Sequence, residues 1–112
     1  MKIAMDGFQE NIVTMEAAEG VAKGNVVKIT ADLKVEQCAD GDDICGVVVS
    51  AAEGYAAVQL KGFATIKSSG AIGYGYQELA AAGADSVKAL EGGRKLLVVQ
   101  KDTSANTIGV IL

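Results

Sequence analysis

The chain has 112 residues, half of them apolar, with 14 glycines and no proline, histidine or tryptophan. That length suits one domain with one packed core, and the apolar content sets it apart from a disordered tail. A formal net charge of −4, with Arg94 the sole arginine, argues against nucleic-acid binding, and no apolar run is long enough for a transmembrane helix.

Residues 1–10 read as an N-terminal arm, sparse in core-forming side chains, and residues 11–112 as a single β domain. The arm carries one apolar cluster, Ile3 to Met5, and one aromatic, Phe8; it lacks the apolar stretch of a signal peptide. "NIVTME" (11–16) and "NVVKIT" (25–30) are short strand candidates. "CGVVVS" (45–50) is a continuous apolar run that suits a strand covered on both faces. "YAAVQLKGFATIK" (55–67) alternates with a period of two: Ala56, Val58, Leu60, Ala64 and Ile66 share one face, Tyr55, Gln59, Lys61, Phe63 and Thr65 the other. It reads as one long half-buried strand, bent or bulged at Gly62. "GYQELAAAG" (75–83) allows a short helix or a hairpin; as a hairpin, Tyr76 to Leu79 pair with Ser86 to Ala89 across "AGAD". "KLLVVQK" (95–101) is a second continuous apolar run.

Turn signals punctuate these segments evenly, which points to an all-β fold, a small sandwich or barrel with at most one short helix. A doubled module runs through it. "KGNVVKI", "LKVEQ", the "ADGDD" turn and "ICGVVV" are followed later by "IGYGYQEL", "DSVKAL", "LLVVQKDTSAN" and "TIGVIL". The order of elements repeats more than the residues do. This favours the hairpin reading of 75–83, and it makes "NTIGVIL" a core strand, the expected counterpart of "ICGVVV". With no proline to blunt an exposed sheet edge, the edges must be closed on themselves or covered by another chain.

Catalytic chemistry finds little footing. Without histidine there is no usual general base and no serine triad. Asp40, Asp42 and Asp43 have the wrong spacing for a calcium loop and read as a solvated turn. "GAIGYGY" (70–76) lacks the Lys-Ser/Thr of a phosphate loop. Cys38 and Cys45 read as free, half-buried thiols, with a disulfide across the turn as the alternative. No metal or cofactor is expected. The aromatics carry more information: Tyr55, Phe63, Tyr74, Tyr76 and Phe8 either fill the core or face a partner chain, where aromatics are enriched.

The ordered set "FQENIVT", "KGNVVKI", "ICGVVVSAAEGYAAVQLKGFATI", "IGYGYQELAAAGADSVKAL", "KLLVVQ" and "IGVIL" resembles the small capsid decoration proteins of tailed phages and clostridial-type prophages, with the lambda-type head decoration protein as distant prototype. The resemblance spans about Phe8 to Leu112. The lambda-type prototype is richer in proline and carries tryptophan, both absent here. The resemblance implies an all-β fold and a non-enzymatic protein that binds the major capsid protein on the outer surface of the virion. It also implies trimerisation on the lattice, stabilisation of the expanded shell and synthesis in the bacterial cytoplasm. On that reading Ile3, Met5, Phe8, Tyr55, Phe63, Tyr74 and Tyr76 are the partner-contact candidates, and the arm adds as a strand to a capsid sheet edge. A small ligand-binding barrel and a carrier or adaptor domain with an exposed lysine are the competing readings.

Overall fold

A computed structural model describes residues 11–112, which form ten strands and no helix. In chain order they are β1 (Asn11–Ala17), β2 (Val26–Ala31), β3 (Lys34–Gln37), β4 (Gly46–Ala52), β5 (Tyr55–Lys61), β6 (Phe63–Ser68), β7 (Gly75–Ala81), β8 (Ser86–Ala89), β9 (Arg94–Asp102) and β10 (Thr107–Ile111). The expected all-β class is correct. The arm, with Ile3, Met5 and Phe8, lies outside the described residues.

The strands close into two small barrels, β1-β3-β2-β4-β5 and β10-β6-β8-β7-β9. The second repeats the first in order. The parallel pair β1/β3 returns as β6/β8. The antiparallel pairs β2/β3, β2/β4, β4/β5 and β1/β5 return as β7/β8, β7/β9, β9/β10 and β6/β10. Even the bulges match: Val49 is skipped where β4 meets β5, and Val99 where β9 meets β10.

This doubling differs in two ways from the one the sequence suggested. "NTIGVIL" forms β10, which holds the place of β5; the counterpart of "CGVVVS" in β4 is "KLLVVQK" in β9. Gly-Val-aliphatic similarity misled because a small barrel uses such runs in several strands. The segment 55–67 is likewise two strands rather than one. Gly62, at φ 98°, turns the chain out of the first barrel and into the second. Alternation survives across this break because both halves put their even-numbered side chains inward.

Each interior is filled by side chains from matching positions. Met15, Val27, Val35, Val48, Ala56 and Val58 form one buried cluster. Ile66, Leu79, Val87, Val98, Ile108 and Val110 occupy the same ladder positions in the second barrel. The expectation of one core therefore gives way to two clusters. Burying each Val or Leu contributes about 1.5–3 kcal/mol, which a five-stranded barrel needs because its lumen holds few residues.

The second cluster extends beyond its own barrel. Val26, Cys38, Ile44 and Val47, on the outside of the first barrel, belong to it. Val26 and Val27 are adjacent and both fully buried, one against the neighbouring barrel and one inside its own. Backbone bonds seal the contact: Val26 N donates to Ala84 O at 2.8 Å, Gly41 N to Ala81 O at 2.8 Å, and Ala81 N to Asp42 O at 2.9 Å. Arg94 donates to the carbonyls of Cys45 (3.0 Å), Leu60 (3.4 Å) and Ile44 (3.5 Å). Buried Gln59 donates from Nε2 to Lys61 O (3.1 Å) and Phe63 O (2.9 Å), satisfying the carbonyls that flank Gly62.

The acidic turn 39–43 is exposed as expected, with only Asp42 half-buried, and it is also a docking element. Its backbone pairs with Ala81, and Asp40 reaches Lys88 of the second barrel at 2.7 Å. Asp42 holds the turn by accepting from Ala39 N (2.9 Å) and Lys28 Nζ (2.6 Å). The sequence could not show this, because the partner strand lies some forty residues away. The segment 75–83 is a hairpin arm as expected, but Leu79 to Ala81 pair with Ala89 to Val87, while Tyr76 pairs with Leu97 of β9.

Two measurements check this account. Arg94→Met keeps the stem and removes the three carbonyl contacts. Charged hydrogen bonds are worth roughly 1.5–3 kcal/mol each when their loss strands a partner. Unfolding in urea should show a loss of about 2–4 kcal/mol, with the order of magnitude set by that range. The second concerns pH. The hydrogen bond from Lys28, with help from Ala39 N, holds the Asp42 carboxyl below its ordinary value, and the same bond raises the Lys28 ammonium. The Asp42 contribution is present above the ordinary carboxylate range and lost as pH falls through its lowered value. The Lys28 contribution is present below the ordinary lysine range and lost as pH rises through its raised value. Asp42→Asn should flatten the acid limb of a stability-against-pH curve relative to the native protein.

Candidate functional site

The outer face of the second barrel carries an apolar row that crosses four strands. Phe63 on β6 stands opposite Ile111 on β10, Ile111 opposite Leu97 on β9, and Leu97 opposite Tyr76 on β7. Directly opposed residues in an antiparallel ladder point to the same side, so all four project outward together. Their inward neighbours Ala64, Val110, Leu96 and Val98 are buried, which fixes the parity. Phe63, Ile111 and Leu97 are half-buried and Tyr76 is 69% exposed.

The row is ordered by its surroundings. A Cβ on Gly109 would lie 2.8 Å from the Phe63 ring, so the ring rests on bare β10 backbone. Tyr74 lies beyond Gly75, whose φ of 82° turns the chain between the two tyrosines. Gln77 Nε2 donates to Tyr74 O at 2.8 Å and steadies that turn. Lys101 Nζ sits 5.1 Å from the Tyr74 ring centroid, a cation–π contact worth about 0.5–1 kcal/mol when exposed. Val99, the bulged residue of β9, is 40% exposed and widens the patch.

Of the residues singled out from sequence, the structure brings Phe63 and Tyr76 into one row, with Tyr74 at its margin. Tyr55 stands apart, at the start of β5, opposite Glu16 and Ala52 at the far rim of the first barrel. Leu97, Val99 and Ile111 were missed. "KLLVVQK" looked like a strand covered on both faces, whereas only Leu96 and Val98 are buried and Leu97 and Val99 turn outward. A strictly alternating reading of the run would have found them.

Other features have less to offer chemically. Among the described residues no three Cys, Asp or Glu side chains group closely enough to hold a metal ion. Cys38 and Cys45 are free thiols. Burial pushes the Cys38 thiol up to about 11 and also raises Cys45, so both stay protonated at neutral pH. Open concavities of about 230 and 210 Å³ lie at matching rims of the two barrels, the first beside Ser68, Ile72 and Lys101, the second beside Ala17, Val21 and Tyr55. A third, about 400 Å³, is the groove between the barrels, where Phe63 faces Val49 and Lys23. Lys61 is exposed at the junction of β5 with Gly62, not at a hairpin tip.

No protein-family model matches the chain, and no curated protein matches it in sequence.

The contact between Phe63 and Gly109 can be measured. Gly109→Ala should displace the ring outward at a cost of about 1–3 kcal/mol, the range for overpacking. The same substitution made together with Phe63→Ala should cost less than the sum of the two, as a double-mutant cycle on thermal or urea unfolding would reveal.

Proposed function

We propose that this is a non-enzymatic structural protein that binds the outer surface of a tailed-phage or prophage head and stabilises the expanded shell as a homo-oligomer, most simply a trimer. The observation that carries the reading is the exterior apolar row of Phe63, Ile111, Leu97 and Tyr76, flanked by Tyr74 and Val99. Large aromatic and aliphatic side chains displayed together on a barrel wall favour a macromolecular partner over a small substrate. The row suits the self-association, and the ordered motifs that resemble capsid decoration proteins supply the lattice on which it occurs, that of the major capsid protein. The acidic surface suits the outside of a particle, away from packaged DNA. The arm at residues 1–10 supplies a second grip by strand addition to a capsid sheet edge.

The competing readings have less support. Both barrel lumens are filled by aliphatic side chains, which leaves a ligand only the shallow rims and the open groove between the barrels. A carrier lysine needs a protruding tip, and Lys61 lies within a strand.

Co-sedimentation with expanded heads of the phage or prophage that encodes the chain tests the reading. Native protein should pellet with the heads and raise their melting temperature. Tyr76→Ser and Tyr74→Ser together should weaken binding tenfold or more, equivalent to about 1.4 kcal/mol, without changing the melting of the free protein. Native protein that stays in the supernatant at every concentration would refute the assignment.

A further inference from the structure

The two barrels are equivalent in their ladders but not in their surroundings. In the first barrel, the row matching Phe63–Ile111–Leu97–Tyr76 is Ile12–Gln59–Val47–Val26. Three members of that row, Gln59, Val47 and Val26, are 5%, 5% and 0% exposed, because the second barrel sits on them. The second barrel carries the same row at its own wall, more aromatic: its Phe63 end borders the groove between the barrels, and its Tyr76 end is 69% exposed. A two-residue slip of β7 against β9 puts Tyr76 opposite Leu97, where Val26 stands opposite Val47; an even slip preserves which face is outward.

The receiving side shows the complementary asymmetry. In the second barrel, β7 meets the first barrel through the backbone of Ala81, whose N–H and C=O pair with Asp42 O and Gly41 N. The equivalent residue in the first barrel is Ile29, opposite Val35 as Ala81 is opposite Val87. Cys38 N bonds Val26 O, and Cys45 N bonds Val27 O. By alternation the Ile29 backbone groups therefore point to the β4 side, yet β4 pairs only with Val26 and Val27. Among the described residues Ile29 is left with an open edge, its side chain is 51% exposed, and Leu33 at the adjoining turn is 70% exposed. Lys28 stands where Ala80 does, and its ammonium is held by Asp42 and Glu36 of its own barrel.

We infer that a second copy of this chain docks head to tail, seating its Ile29–Leu33 edge on the Phe63–Ile111–Leu97–Tyr76 row, and so repeats between molecules the interface that joins the two barrels within one. The occupant is set by continuity with that internal interface: one molecule carries an unfilled row and an unfilled edge, and between its own halves the corresponding row is covered while the corresponding edge, at Ala81, is taken up by the turn at Gly41 and Asp42. Such an interface is heterologous, so it closes into a ring or runs on as a filament, and it cannot stop at a symmetric dimer. The inference deepens the self-association in the reading above and stands on the repeat geometry alone, so failure to bind capsids leaves it intact.

Complementation tests it. One variant disables the row (Tyr76→Asp with Leu97→Asp), the other the edge (Ile29→Asp with Leu33→Asp); each is first checked for native circular dichroism and melting. Where an Asp pair prevents folding, Tyr76→Ser and Leu33→Ser, at positions more than two-thirds exposed, replace it. Sedimentation equilibrium should show native protein associating beyond a dimer at concentrations up to about 1 mM. Each variant alone should be monomeric, and their mixture should form a one-to-one dimer that does not grow, since one working row meets one working edge. Three results would overturn the inference: native protein that stays monomeric throughout, as when residues 1–10 of the same chain cover the edge; a variant that associates like the native chain; or a mixture that fails to pair.

Discussion

The contact between the two barrels is the constraint on which the rest of the structure depends. A five-stranded barrel has room for about one layer of aliphatic side chains, so neither half has a large interior to draw on. The chain gains the missing burial by turning part of the first barrel inside out: Val26, Ile44 and Val47 face outward and are covered by the second barrel. Burying a barrel wall brings backbone groups out of water, and each must find a partner. Ala84, Ala81, Gly41 and Asp42 supply these partners from the backbone, and Arg94 and Gln59 supply them from side chains. The sole arginine is spent on three carbonyls rather than on a carboxylate, because five rigidly held N–H donors suit a cluster of acceptors at a strand end better than a lysine would.

Covering one barrel with the other breaks the equivalence of the repeats. Matching ladder positions experience different environments, and their residues follow. Val13 of β1 is 38% exposed, whereas Ala64 at the same place in β6 is buried. Ile29 is at an open edge, whereas Ala81 is small enough to let a neighbouring backbone approach and is fully buried. Val26 and Val47 are aliphatic and enclosed; Tyr76 and Leu97 hold the corresponding places in the open. Tyrosine offers apolar area with a hydroxyl that remains solvated, which makes its exposure tolerable in the free protein. The candidate interaction surface is thus the part of the repeat that the fold itself leaves unfilled.

Much of the architecture was legible in the chain, and so was part of the site. Period-two alternation located the strand region 55–67, short apolar segments located strands near 11–16, 25–30, 45–50 and 95–101, and evenly spaced turn signals gave an all-β fold with a doubled order of elements. Tyr74, Tyr76 and Phe63 stood out as aromatics in a chain with few of them. These features are local: the side-chain period and the turn chemistry are settled within a few residues. Leu97, Ile111 and Val99 escaped notice because an apolar run does not say which of its faces is covered. The docking contact of the acidic turn escaped notice for a similar reason, since its partner Ala81 is distant in sequence.

What the sequence alone determined is therefore the class of structure: strands, evenly spaced turns, and a repeat. Only the tertiary structure decided where the repeat divides, at Gly62, whose left-handed backbone ends one barrel and begins the next. It alone decided that β10 matches β5 and that one outer row is buried while its twin is displayed. The physical reason is that the sign of a strand's face follows from local alternation, whereas coverage of that face depends on contacts between residues far apart in the chain, such as Arg94 with Leu60 or Val26 with Ala84.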